Sequence, residues 1–572
     1  MEPNVAESIY VRFSGSFAAN KVSPDILIGE STETVRNRRG SFRGLRSTMR
    51  HLPLRPTLQL LGSIAVEIER GRHPLDAALQ VRVARLLAHD RRSHALARRL
   101  FANPGTVLVD SEQIAMLSAY AIAFCEAETW PLDGYARLLE ALLTYHSVKG
   151  QELQRAGDIY ESLLRTEVRS VSTDSEAILD VMARWRAFAR WAETGEATRS
   201  YSYVNINALF QEKLGLGIVA WTAATWTMVA HFAQIKMSPE GPSYDAFLDP
   251  TIYYSTLTDR SELVQWLEQT SISLEDARRA LREIKTTSLS EIELLMNTPL
   301  VRTPWGICCP VLRFLPNVAG NGLMFRLGSH LAIEESNRLR QFFGQFLEYH
   351  LHAIIRDVSR DRDVKIFSEQ RYGRSEKKSS DLALFDGDSA VFIDVTSTRF
   401  NLRESVVSLE PTNVARDMRR FVTDKVSKEI SRCAREFWNH ELVYDGINSR
   451  EIKRIYGLVV SPQGLTRLLG IAKLIDEQVP AVPTGLQEWD YFDLNEIESL
   501  PKLFKGNLNL PQLIADKRSD VFGRSRSLAS YLYFRKRQLV DAEPTHKAIL
   551  DDPWFLEIIA CTKRWGLGAP VN

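Results

Sequence analysis

Between Ser379 and Thr396 two strand-forming segments, Leu382–Phe385 and Ala390–Val395, flank Asp386-Gly387-Asp388. Asp-Gly between such runs is the strongest short-range signal for a β-hairpin. If Gly387 and Asp388 form the loop, residue 386 faces 389 and Asp381 lies directly across from Asp394 on one face. If Asp386 and Gly387 turn instead, Asp381 faces Phe392 and Asp394 becomes its diagonal neighbour on the same face. Only an odd-length loop sends the two aspartates to opposite faces.

Two carboxylates held on one face of an apolar hairpin repel each other, and a hard divalent cation removes that conflict. Mg²⁺ or Mn²⁺ takes oxygen ligands and keeps several waters. A cation so placed activates water for attack on a phosphodiester. The plainer reading makes Asp381 the end of a loop and Asp394 a salt-bridge partner or a partly exposed strand residue. Asp386 and Asp388 are read as turn residues.

The elements around the hairpin follow from periodicity. Short extended runs broken by Pro and Gly, at residues 300–307 and 322–327, read as strands. A helix is expected over about Ala332–Val358, strands near Val364–Ser368, Leu382–Phe385 and Ala390–Val395, a long helix Asn413–Trp438, a strand Ile455–Val460 and a helix from Leu465. That order, helix, three strands, helix, strand, is an α/β core. Residues 57–298 carry helical patterns instead, at Leu75–Leu87, Ile114–Cys125, Leu138–Tyr145, Asp158–Leu164, Ala177–Ala192 and Leu274–Ile284, without a repeat period. The expected fold class is therefore α + α/β. A basic, partly flexible arm (1–56) and a large N-terminal helical domain (57–298) precede an α/β domain with a mixed central sheet (299–505) and a C-terminal helical extension (506–572).

The stretch from about 330 to 500 resembles the restriction-endonuclease-like PD-(D/E)xK nuclease superfamily, whose core has that element order. Ser380-Asp381 corresponds to the first half of its motif and Asp394-Val395-Thr396 to the second. Glu348, in Gly344-Gln345-Phe346-Leu347-Glu348, corresponds to the carboxylate the family often supplies from the preceding helix. The resemblance implies Mg²⁺-dependent (or Mn²⁺-dependent) cleavage of DNA ahead of RNA, with Asp381, Asp394 and Glu348 holding the metal. It also implies a role in bacterial defence against phage or foreign DNA, alone or with other subunits of a defence system.

The family's lysine is replaced by Thr396, whose hydroxyl carries no charge and is no comparable base. Related nucleases take this lysine from the next helix, which makes Lys425 and Lys428 the candidates; the plainer reading of each is a solvated helix charge. Lys377, Lys378 and Arg399 near the motif, and Arg535 in a tail that mixes aromatic and basic residues, are candidate nucleic-acid contacts, with surface solvation and helix packing as the rival readings. The alternative to a nuclease is a catalytically inactive nucleic-acid-binding or assembly subunit. A helical interaction scaffold without nucleic-acid affinity is a third class. No Gly-rich loop ending in Lys-Ser/Thr, no GxSxG and no HExxH is present.

The formal net charge of +1 over 572 residues conceals an uneven distribution: residues 36–50 hold six arginines and no acid. That stretch reads as a flexible basic arm, for phosphate or RNA contact or as a solvated linker. The opening MEPNVAESIY has no export signal, and five cysteines without a CxxC pair fit neither a zinc ribbon nor a disulfide scaffold, so a cytoplasmic location is expected. The uncharged segment 214–235 has the length of a membrane span. Its threonines, His231, Gln234 and two opening glycines favour a buried helix, and no membrane is expected as partner.

Overall fold

A computed structural model describes residues 41–70, 77–100, 109, 111–155, 178–235, 246–249, 261–283, 290–397, 411–462, 469–524, 528, 531–532 and 553–565. The architecture is mixed α/β, a helical region together with a sheet packed by helices. A small sheet belongs largely to the helical region. Its strands β1 (Phe247–Leu248), β2 (Ser271–Ser273), β3 (Leu300–Thr303) and β4 (Gly306–Cys308) lie in the order β1-β4-β3-β2. The stretch expected to be purely helical thus contributes β1 and β2, and the sheet straddles residue 298.

The main sheet is built from β5 (Val364–Ser368), β8 (Leu382–Asp386), β9 (Ser389–Val395), β10 (Arg454–Ser461) and β11 (Glu488–Asp493), in the order β11-β10-β9-β8-β5. A two-stranded ribbon, β6 (Arg371–Tyr372) with β7 (Lys377–Lys378), stands between β5 and β8 in the chain. β8 pairs antiparallel with both β5 and β9, whereas β10 lies parallel to both β9 and β11. The central strands are buried along nearly their whole length, as their unbroken apolar runs require once helices cover both faces. The helix Ile333–Val358 packs on β5 and β9, and residues 425–430 of a helical run from Pro411 to Trp438 pack on β9 and β10. Gly457 permits that close approach, since a Cβ there would meet Ile430 at 3.1 Å and Trp489 at 3.2 Å.

Three expectations are corrected. Residues 322–327 are not a strand but part of the helix Asn321–Ser329, in which Leu323 and Leu327, four apart, are both buried; six residues are too short to separate the two periods. The basic arm folds where it is described: Ser41 caps the helix Phe42–Arg50, Leu45 and Met49 enter the core, and Arg46 lies 5.2 Å from the centre of the Phe124 ring. The arginine count masked a short apolar stripe. Residues 214–235 are not one helix: Leu214 ends one, Gly215 takes φ of +69°, and Ile218–Phe232 forms the next. Its threonines suit burial because Thr222, Thr225 and Thr227 donate their hydroxyls to carbonyls four residues back.

Among the described residues no single helix is long and apolar enough to cross a membrane; the bent pair Ile206–Leu214 and Ile218–Phe232 passes only jointly, and the second is almost entirely buried. The pattern at 158–164 lies outside the described residues.

The helical region is locked to the α/β layer by aromatic packing and one ionic knot. Phe188 and Trp191 of the helix Ile178–Ala192 meet Phe342 and Phe346 at ring separations of 4.8 to 6.0 Å. Arg184 donates to both oxygens of Glu498, at 3.0 and 2.8 Å, and to Asn495 Oδ1 at 2.6 Å, while His350 Nε2 lies 2.9 Å from Glu498 Oε1. Burial alone would raise the Glu498 pKa, but Arg184 and His350 hold it down at about 2. A depressed carboxylate stabilises the fold above its ordinary value near 4.5 and loses that contribution as pH falls toward 2. Arg184→Ala is expected to cost about 2–3 kcal/mol at pH 7, with the gap from the parent protein closing below pH 4.5 in urea titrations. A pH-independent gap would mean that Arg184 acts by packing alone.

Candidate functional site

The hairpin register decides the geometry. Asp386 pairs with Ser389 and Leu382 with Ile393, so the next step outward sets Asp381 opposite Asp394. Gly387 and Asp388 are the loop, with Gly387 at φ +59°, a backbone state that glycine adopts without steric cost. The two aspartates interlock through the backbone: the Asp381 amide donates to Asp394 Oδ1 at 3.2 Å, and the Val395 amide donates to Asp381 Oδ2 at 2.7 Å. Asp394 is 2% exposed, and among the described residues its Oδ2 has no hydrogen-bond partner. Since side chains alternate along β9, Asp394 shares its face with Phe392, which packs against Phe437. The pair is therefore turned toward the 411–438 helical run.

That run is not a regular α-helix. Residues Arg419–Thr423 and Lys425–Ile430 are wound as π-turns, a form frequent at functional sites. They bring Lys425 into electrostatic contact with both aspartates, and its ammonium is held by Glu429 at 2.6 Å. Burial disfavours the ammonium, but Asp394, Glu429 and Asp381 outweigh it and raise the Lys425 pKa. Of the two candidate lysines only Lys425 reaches the pair. Lys428 lies at the surface, 69% exposed and bridged to Asp424 at 3.0 Å.

The acids themselves are held in an unfavourable state. Burial, joined by the Asp381 charge, raises Asp394 well above the carboxylate range. Asp381 is pushed up to about 6, chiefly by burial, against the Val395 amide and Lys425, which pull it down. Glu348 rises to about 8 through burial, Asp381 and Glu369, opposed by Lys378 and Lys425. A closed cage of Asp381, Asp394 and Glu348 is nevertheless not formed: among the described residues no three His, Cys, Asp or Glu side chains gather closely enough to hold a metal ion. Glu348 arrives from the Ile333–Val358 helix and, like the aspartates, lies within electrostatic reach of Lys425.

Thr396, at the motif's lysine position, is buried, and its amide donates to the Val460 carbonyl at 2.9 Å. Lys377 is bound to Glu436 at 2.6 Å and Lys378 to Glu369 at 3.0 Å. Arg399 and Arg535 lie outside the described residues. Glu429 and Glu369 were not singled out in the sequence. Glu429 follows Lys425 by four residues, a spacing that signals an ion pair on a helix; Glu369 has no comparable local signal.

Chemically, the arrangement is a pair of buried carboxylates carrying one unpaired oxygen, a lysine beside them, and a third carboxyl within electrostatic reach. The chemistry open to such a set is retention of a proton or neutralisation by a hard cation. No family model, curated protein or solved structure matches the chain.

Proposed function

We propose that the chain is a Mg²⁺-dependent nuclease acting on DNA, with Asp381 and Asp394 as metal ligands and Lys425 in place of the motif lysine. The observation that carries this reading is the unpaired Oδ2 of Asp394, buried beside Asp381 and Lys425. A carboxylate oxygen kept from water without a donor is stabilised by a cation. Two carboxylates fit Mg²⁺, which uses one or two together with waters and substrate phosphates. When bound, the ion supplies charge for a phosphoryl oxygen and lowers the pKa of its water.

This chain's own residues do the rest. Asp381 and Asp394, fixed by each other's strand, orient the reacting group. Lys425 places positive charge beside them, and Glu429 holds its ammonium in position. Glu348, carrying a proton up to about pH 8, is poised to exchange one near neutrality. In the hydrolysis, a water oxygen attacks phosphorus, one P–O ester bond breaks with its electron pair passing to the departing sugar oxygen, the attacking water gives up a proton to solvent or a carboxylate, and the sugar oxygen takes one up from the same source. The order of strands and helices from 333 to 493 supports the restriction-endonuclease-like comparison, and with it a cytoplasmic role in defence against foreign DNA, with or without partner subunits.

A second reading, an inactive nucleic-acid-binding or assembly subunit, is favoured by one observation, the uncharged Thr396 bound into the sheet. Incubation of the full chain with plasmid DNA separates the two. Nicking or linearisation with Mg²⁺, absent with a chelator and absent in folded Asp394→Ala, supports the nuclease. Binding without strand breaks supports the subunit.

A further inference from the structure

We propose that the β6–β7 ribbon is a grip for the backbone of duplex DNA, presenting Arg371, Arg374 and Lys378 beside the carboxylate pair; this rests on the nucleic-acid reading of that site.

The ribbon prolongs the β5–β8 ladder past the end that carries Asp381. β5 pairs Ser368 with Leu382, Gln370 and Ser379 then exchange hydrogen bonds, and Arg371 pairs with Lys378 and Tyr372 with Lys377. The chain re-enters β8 directly after Asp381. Residues 371–378 hold four cations and one acid, and every one of them except Tyr372 is exposed.

Alternation along so short a ribbon assigns its faces. Tyr372 and Lys377 form the anchored face: both bind the Glu436 carboxylate, and Arg432 donates to the Tyr372 hydroxyl at 2.8 Å. Arg432 also donates to the Lys378 carbonyl at 2.8 Å. A mere surface excursion has no need of a largely buried carboxylate holding a tyrosine and a lysine together. Arg371 and Lys378 form the opposite face. Lys378 is paired with Glu369 at 3.0 Å and Arg371 with Glu376 at 3.4 Å, and the ribbon rejoins β8 at Asp381, which sets it next to the candidate site. Arg374 stands exposed at the tip.

The partner that fits is a polyanion of regular spacing. Cations flanking a cluster of acids let a phosphate backbone approach carboxylates that would otherwise repel it. Lys377 serves as an anchor, its largely buried partner Glu436 setting the ribbon's angle, while Arg371 and Lys378, paired with the more exposed Glu376 and Glu369, exchange those partners for phosphates alongside Arg374. Phosphate contacts position the duplex without reading its sequence.

The test is equilibrium binding of the full chain to a fluorescent duplex in chelator, where no cleavage occurs, over a series of salt concentrations. Arg371→Ala/Arg374→Ala is expected to weaken binding on the order of tenfold and to reduce the slope of log affinity against log salt by about 2, one unit per lost phosphate contact. Arg279→Ala, an equally exposed arginine on a distant helix, is expected to leave the slope unchanged. Parent protein that binds duplex while the double variant keeps its affinity and slope overturns the grip and leaves the nuclease reading intact. Binding lost as expected in a protein that never cuts DNA upholds the grip and overturns the nuclease reading. A parent protein with no affinity for duplex at low salt overturns the grip, whatever the site's chemistry.

Discussion

Asp394→Asn is expected to inactivate this protein and stabilise it in the same step. The carboxylate sits buried opposite Asp381, and both are raised above their ordinary range by desolvation. Acids with raised pKa values bind protons more tightly in the folded than in the unfolded chain. The contribution of these acids to metal-free stability is therefore fullest below about pH 4 and is lost as pH rises through the folded values, about 6 for Asp381 and about 8 for Glu348. An amide in place of the Asp394 carboxylate keeps an acceptor for the Asp381 amide and removes a buried charge. At pH 8 the metal-free variant should be more stable than the parent, because the carboxylate whose charge burial disfavours has been replaced by a neutral amide.

The same exchange removes a ligand oxygen. Cleavage should fall on the order of 10³-fold, the scale on which loss of one preorganised electrostatic group acts. Mg²⁺ should raise the thermal midpoint of the parent at pH 8 and leave the variant unmoved. Thermal melts at pH 5 and pH 8, with and without Mg²⁺, read all of this. An Asn variant less stable than the parent at pH 8 would show that the Asp394 charge is compensated within the fold and that the site is structural.

How much of this was legible in the sequence depends on how local each determinant is. The hairpin was, because Gly387 fixes the turn and a period of two carries the register outward from 386 and 389 to 381 and 394. The continuous apolar runs of β9 and β10 marked buried strands, but their parallel pairing depends on long crossovers that local periodicity does not encode. The choice between Lys425 and Lys428 was hidden for another reason. π-turns close i→i+5 bonds, so side chains between 419 and 430 depart from the 3.6-residue period on which any helical projection relies. Glu348 shows the limit of motif transfer: position on a helix can be matched, whereas convergence on a metal depends on how that helix packs. The arginines of 42–50 mislead in the opposite sense, since charge dominates the composition while Leu45 and Met49 decide the fold.

The largest expected loss of stability lies away from the site. β11 is an edge strand of the main sheet, and the helix Leu510–Ser519 covers it. Lys517 reaches Asp490 of β11 at 3.0 Å with both side chains 0% exposed, and its ammonium lies 5.8 Å from the centre of the Phe492 ring. Next to it, Arg518 stacks 5.3 Å from the Trp489 ring and reaches Glu488 at 3.4 Å, so successive strand residues are clamped by one helix turn. Charges taken this far from water are costly, and the cost falls due when one is removed without the other. Lys517→Met is expected to destabilise the protein by about 3–5 kcal/mol, because Asp490 stays buried while the ammonium 3.0 Å from it is lost. Asp490→Leu combined with Lys517→Met should recover most of that loss, since two apolar side chains of similar volume replace both ions. Urea unfolding of the two variants decides the matter: a double variant as unstable as Lys517→Met would mean that the pair contributes through geometry rather than through matched charge, and that the helix is oriented on β11 by that contact.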